Sequence, residues 1–160
     1  NWDPAPADQA HTLSVINKDT KQLQSIRVRG SRHTMNLPAG RYAWYLTTDE
    51  NLQTPAESFQ LLPHSPSHLS AKQKNKYLHV RWHAAADVDS YELIVTYPSG
   101  KQKNIIVTGT ETELPAPEYG AYEITLASVH NSLHSETQDI QVQVYKRFWW
   151  LIATLSLLAL

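Results

Sequence analysis

The 160 residues carry 14 Lys plus Arg against 15 Asp plus Glu, a formal charge of −1, which lacks the broad basic footprint that phosphate neutralisation needs and so excludes nucleic acid as an expected partner. At 41% hydrophobic the chain is too apolar for disorder, yet its 18% charged content falls below the roughly 25% of a soluble domain. The absence of cysteine removes disulfide scaffolds, thiolate metal sites and cysteine nucleophiles together.

The chain opens on Asn1-Trp2 without an initiator Met or a targeting segment, and is expected to be an interior piece of a longer protein. The first predicted strand covers His11-Thr12-Leu13-Ser14-Val15. The next strong one is Gly40-Arg41-Tyr42-Ala43-Trp44-Tyr45-Leu46, with Tyr42 and Trp44 on its apolar register and Tyr45 on the opposite face. Phe59 and Leu61 mark a closing strand, and Pro63-His64-Ser65-Pro66 reads as a boundary. Beyond it the alternation is plain. Leu78, Val80 and Trp82 alternate with His79, Arg81 and His83, and Tyr91, Leu93, Val95 and Tyr97 alternate with Glu92, Ile94 and Thr96. Pro98-Ser99-Gly100 predicts a tight hairpin into a strand from Lys101 to Val107, and Tyr122, Ile124 and Leu126 form a further half-buried strand after a Pro-containing corner.

These elements repeat. Trp2 matches Trp82, His11–Val15 matches Tyr91–Val95 and Gly40–Leu46 matches Gly120–Leu126, each displaced by 80 residues. Short strands with period two and no internal helix predict an all-β fold with a β-sandwich in each copy. The expected core is Trp2, Tyr42, Trp44, Trp82, Tyr91 and Tyr122. The first copy has only Asn1 before its Trp, where the second has a strand's length of chain. It is expected to lack its first strand, supplied either by upstream sequence or by a partner adding a strand at the open edge.

The last 13 residues, Phe148 to Leu160, contain no charge, Gly or Pro. At about 1.5 Å per residue they reach roughly 20 Å, short of the ~30 Å hydrocarbon core, so they are expected to begin a transmembrane helix rather than complete one. Tyr145, Phe148, Trp149 and Trp150 would form an aromatic belt at the membrane interface, with Lys146 and Arg147 reaching head groups of the lipid bilayer.

The order Trp82, then Tyr91-x-Leu93-x-Val95, then Leu114-Pro115 leading to Tyr122-x-Ile124-x-Leu126 resembles a fibronectin type III module. In that fold the Trp and paired strands form the core, and the Tyr after the corner folds its hydroxyl back onto the chain. The likeness is less complete over residues 2–62, where Leu37-Pro38-Ala39-Gly40-Arg41-Tyr42 forms a shorter corner. The resemblance thus implies two tandem fibronectin type III-like (Ig-like) sandwiches: residues 1–63 lacking a first strand, residues 64–145, and residues 146–160 starting a membrane helix. The modules are also similar to those in the periplasmic part of bacterial membrane-bound sensors, including the triple-tyrosine type that precedes histidine kinases, and in FecR-domain proteins. That similarity implies a membrane-anchored chain with its modules outside the cytoplasm, on the periplasmic side of a bacterial inner membrane.

Chemistry leaves little signal. Among the eight His, His79 and His83 sit four apart on a predicted strand, which separates them by roughly 13 Å. His130 and His134 flank a loop and are the weak metal candidates. Asp87 and Asp89 lack the Gly and distal Glu of a calcium loop and are expected in a turn. No Gly-x-Ser-x-Gly elbow and no glycine-rich phosphate loop occurs, so neither a catalytic site nor a cofactor is expected. The expected function is that of an extracytoplasmic module pair of a single-pass membrane receptor or sensor, binding a ligand or partner protein and coupling to a membrane helix. The alternative is a structural spacer or docking scaffold in a membrane assembly.

Overall fold

The structure is a computed structural model and describes residues 10–146. All regular structure among them is β-strand, in two compact units that divide between Ser65 and Pro66 for most of their length. Among these residues no helix is long and apolar enough to cross a membrane. The expected start of a membrane helix, with Arg147, Phe148, Trp149 and Trp150, lies outside the described residues, as does Trp2.

The first unit contains β1 (Ala10–Asn17), β2 (Leu23–Arg29), β3 (Gly40–Thr48) and β4 (Glu57–Leu61) in one antiparallel sheet of order β2-β1-β3-β4. Period-two alternation collects its apolar residues on one face, because residues directly opposite across a ladder share a side. Leu13 stands opposite Leu46, Val15 opposite Trp44, and Tyr42 opposite Phe59, whose ring stacks on it at 5.3 Å. Leu13, Val15, Val28, Tyr42 and Leu46 are buried there, and Met35, Leu37, Trp44, Phe59 and Leu61 pack against them while remaining partly open.

The β1–β2 turn is closed by Asn17, whose side-chain oxygen accepts from the N–H groups of Asp19 (2.8 Å) and Thr20 (3.0 Å). That turn presents Asp19 to the start of β3. Its carboxylate accepts from the Arg41 N–H and from the Arg41 guanidinium, both at 3.0 Å. The backbone hydrogen bond from Arg41, followed by its side-chain bond and charge, holds the Asp19 carboxyl below its ordinary range. A depressed carboxyl stabilises the fold above its unfolded pKa, and that stabilisation disappears as pH falls through the folded value. Thermal melts of Asp19→Asn should therefore show a first unit that is weaker at neutral pH and less sensitive to acid than the parent. Equal acid sensitivity would show that the Asp19–Arg41 link contributes nothing.

The remaining strands are β5 (Ser67–Lys74), β6 (Tyr77–His83), β7 (Ser90–Thr96), β8 (Gln102–Val107), β9 (Glu111–Pro115), β10 (Gly120–His130), β11 (Leu133–His134) and β12 (Gln138–Val144); they make up the second unit, except that β11, the end of β10 from Ser128 and Ser90 group with the first. One sheet has the order β5-β6-β9; in the other β11-β10-β7-β8 run in sequence and β12 also pairs with β10. Their inner faces supply a core in which Leu78, Val80, Leu93, Tyr122, Ile124 and Leu126 are each 0% exposed. Trp82 meets Tyr91 edge-on at 5.3 Å. The expected hairpin is present: Gly100 has φ +82° and its N–H reaches the Tyr97 carbonyl at 2.8 Å.

Strands β8-β7-β10-β12 reproduce the order β2-β1-β3-β4 of the first unit. The repeat positions Leu13 and Leu93, Val15 and Val95, Tyr42 and Tyr122, Leu46 and Leu126 are buried in both. The tyrosine hydroxyls close alike in both copies, although the stretch from Leu37-Pro38 to Tyr42 is shorter than that from Leu114-Pro115 to Tyr122. Tyr42 donates to the Pro38 carbonyl at 2.9 Å and Tyr122 to the Glu118 carbonyl at 3.1 Å, each four residues upstream. Trp44 departs from the expectation of a fully buried core residue, since it is only half-buried where its repeat partner Ile124 is sealed.

Candidate functional site

The structure separates the two metal candidates. In the β10–β11 ladder His134 stands opposite Val129 and Leu133 opposite His130, so the two histidines occupy opposite faces of the sheet. The His130 ring is engaged elsewhere, with Nδ1 3.2 Å from Asp89 and Nε2 3.0 Å from Asn131. Asp87 and Asp89 take the expected turn roles: Asp87 has φ +56°, and Asp89 accepts from the Asn131 N–H at 3.0 Å. His79 and His83 point from the outer face of β6, the first 3.2 Å from Glu113 and the second against the ring of His68 at 4.3 Å. Among the described residues no group of three or more His, Asp or Glu side chains is placed to hold a metal.

Two surfaces stand out instead. The first is a groove of about 280 Å³ on the apolar face of the first unit, lined by Leu13, Val15, Met35, Leu37, Trp44, Phe59 and Leu61, with His33 at its margin. In the second unit the equivalent face of β7 and β10 is covered by the sheet β5-β6-β9. Among the described residues of the first unit no such second sheet is present, which is why Trp44 stays half open. The groove lies on the face of the sheet, and the segment expected to lack its first strand, before Ala10, lies outside the described residues.

The second surface is the end of the second unit from which the chain leaves β12. Gln73, on β5, grips the backbone just past β12 with both halves of its amide. Its Nε2 donates to the Tyr145 carbonyl at 3.1 Å and its Oε1 accepts from the Tyr145 N–H at 3.0 Å. This pairing, across 72 residues of sequence, adds one rung of sheet-like hydrogen bonding where regular pairing has ended. Tyr145 and Lys146, expected at a membrane interface, are both exposed, Tyr145 at 67%.

No protein-family model matches the chain, and no curated protein matches it in sequence. Solved structures do. A segment of two fibronectin type III domains from chicken tenascin superposes with a TM-score of 0.66 at 17% identity, covering 88% of this chain and 86% of that one. The fold is fibronectin type III-like. The fn3 domain of human collagen alpha-1(XX) chain matches with a TM-score of 0.48 at 22% identity, covering 54% of this chain and 89% of its own. The FN1–FN3 domains of chicken CNTN1 match with a TM-score of 0.48 at 12% identity, covering 86% and 54% respectively. In the second fibronectin-like unit the expected core residues Trp82, Tyr91 and Tyr122 are buried at 4%, 3% and 0% exposure. The Gln73 clamp escaped sequence reading because a glutamine on an alternating strand carries no signal of a partner so distant in the chain.

Proposed function

We propose that this chain is the extracytoplasmic module pair of a membrane-anchored receptor or sensor, in which the second module is mechanically coupled to a membrane-inserted segment. It is non-catalytic over these residues and contacts another protein. The observation that carries the reading is the Gln73 clamp on Tyr145, three residues before the uncharged run that starts at Phe148. A strand end held by two hydrogen bonds passes a rotation or shift of the module to the following segment, whereas a loose linker would dissipate it. Modules of this fold generally mediate protein–protein contacts or act as spacers, and the fold by itself does not choose between these roles.

The test is made on the chain in lipid vesicles, with a fluorophore on a cysteine introduced at exposed Thr108; the protein has no other cysteine to react. A Gly-Ser stretch inserted after Tyr145, or Gln73→Ala, should lower the residual anisotropy because the module then turns independently of its tether. Unchanged anisotropy in both variants counts against coupling.

The scaffold reading is favoured by a different observation, the open apolar face around Trp44 and Phe59, on which a partner's strands could complete a core as β5-β6-β9 do in the second unit. A passive scaffold predicts anisotropy insensitive to the clamp, so the same experiment separates the two.

A further inference from the structure

We infer that the end of the second unit around Tyr119 and Tyr145 is a docking face for anionic lipid head groups, seating the module on the bilayer surface. This rests on the membrane-anchored reading above and adds a surface to it.

Strand register places four segments at this end. Lys74 pairs with Tyr77 across the β5–β6 turn, Thr96 with Gln102 across the Pro98 hairpin, and Tyr77 with Pro115 at the end of β9. Gly120 pairs with Val144 where β12 finishes. The segments are fastened to one another. The Ala116 N–H donates to the Lys76 carbonyl at 2.8 Å, and Gln73 holds Tyr145. Ser99 donates to Glu118 through its N–H and its hydroxyl, both at 2.9 Å. At Gly120, with φ +133°, an added Cβ would meet the Pro98 ring at 3.0 Å, so hairpin and β10 approach as closely as glycine permits. The result is a preorganised platform rather than a set of independent loops.

Its chemistry is mainly basic. Lys74, Lys76, Lys101 and Lys146 are exposed in these segments, and Glu118, the carboxylate within them, has both oxygens occupied by Ser99; the nearest further carboxylates, Glu111 and Glu113, line a hollow beside Lys74 together with His79 and Arg81, to which they are paired. Tyr77, Tyr119 and Tyr145 are 47%, 59% and 67% exposed, although tyrosine normally buries most of its ring. Tyr119, Tyr145, Pro117 and Lys76 line a cavity of about 540 Å³. Rings with one polar tip, interleaved with ammonium groups, match the head-group layer of a bilayer, where tyrosine is enriched and basic side chains meet lipid phosphates. The position in the chain agrees, since the uncharged run begins three residues after Tyr145. Asp87 and Asp89 precede β7, at the opposite end of that strand from the Pro98 hairpin, so the acidic turn is kept away from this face.

The experiment uses the full chain in vesicles of phosphatidylcholine, with or without about one third phosphatidylglycerol, carrying a nitroxide on the head groups. Single cysteines bear a fluorophore at Pro117, on the platform, or at Thr108, at the far end of β8. Quenching at residue 117 should exceed that at residue 108 several-fold in the anionic vesicles, and should weaken in pure phosphatidylcholine and at about 0.5 M salt. Lys74→Glu/Lys76→Glu/Lys101→Glu should abolish the excess, each basic residue near an anionic surface being worth about fivefold in association. Flotation with the vesicles but equal quenching at the two positions overturns docking and leaves anchoring intact. Failure to float overturns both. An excess indifferent to lipid charge, salt and the reversed lysines also overturns the inference, and the salt and lipid arms keep it open to refutation if the triple variant does not fold.

Discussion

Trp82→Ala is expected to cost the second unit about 3–5 kcal/mol, enough to leave it largely unfolded under conditions where the parent is native. Trp82 is 4% exposed, lies on the inward register of β6 with Leu78 and Val80, and meets Tyr91 edge-on at 5.3 Å. Removing the indole takes away its transfer free energy and leaves a cavity between two sheets whose hydrogen-bonded strands cannot collapse far into it. A second substitution separates packing from polarity. The indole Nε1 is buried without an acceptor among the described residues, and such a donor carries a desolvation penalty of about 1–3 kcal/mol. Trp82→Phe removes that donor while keeping much of the ring, so its loss should be less than half that of Ala. Urea titrations followed by far-UV circular dichroism measure both. A loss below about 1 kcal/mol for Ala would show that the sheets close without this side chain.

What could be read from the sequence divides along a physical line. Trp82, Tyr91, Leu93, Val95 and Tyr122 announce themselves because burial between two sheets imposes period two, and the hairpin at Pro98-Ser99-Gly100 announces itself because only a few residues tolerate its backbone. Trp44 satisfies the same alternation yet remains half-buried. Alternation specifies which face a residue occupies but not whether a second sheet covers that face. His130 and His134 flank a loop, which by sequence lets them approach each other, but the register of a two-residue strand, fixed by backbone pairing, sends them to opposite faces. The links that organise the candidate surfaces lie furthest from sequence reading. Gln73 with Tyr145, Ser99 with Glu118 and Asp19 with Arg41 join polar residues that are ordinary one by one. They become specific only when the fold brings their segments together, in one sheet for Asp19 and Arg41 and across two sheets for Gln73 and Tyr145.

Tyr122→Phe is the sharper test of the corner, because it deletes a single oxygen. The Tyr122 hydroxyl donates to the Glu118 carbonyl at 3.1 Å and accepts from the Glu118 N–H at 3.0 Å, so one atom serves both backbone groups of one loop residue. The ring is 0% exposed and Phe fills the same space. The substitution therefore leaves two polar groups of Glu118 without their partner, at a cost of about 1–3 kcal/mol. Tyr42→Phe should cost less, because its hydroxyl donates to Pro38 at 2.9 Å but accepts only a long contact of 3.4 Å from Asn17. Burial, the largest cause, raises the Tyr122 hydroxyl above its ordinary pKa of 10.0, and the same holds for Tyr42. An acid whose folded pKa is raised stabilises the native state less as the unfolded chain begins to ionise. The fold should therefore be at full strength below pH 10 and weaken as pH climbs from there through the folded values. In Tyr122→Phe the second unit should lose the part of this alkaline sensitivity that belongs to residue 122, while its response below neutrality stays that of the parent. A parental alkaline profile combined with parental stability would mean that the hydroxyl is solvated in the native state and the corner is held by the ring alone.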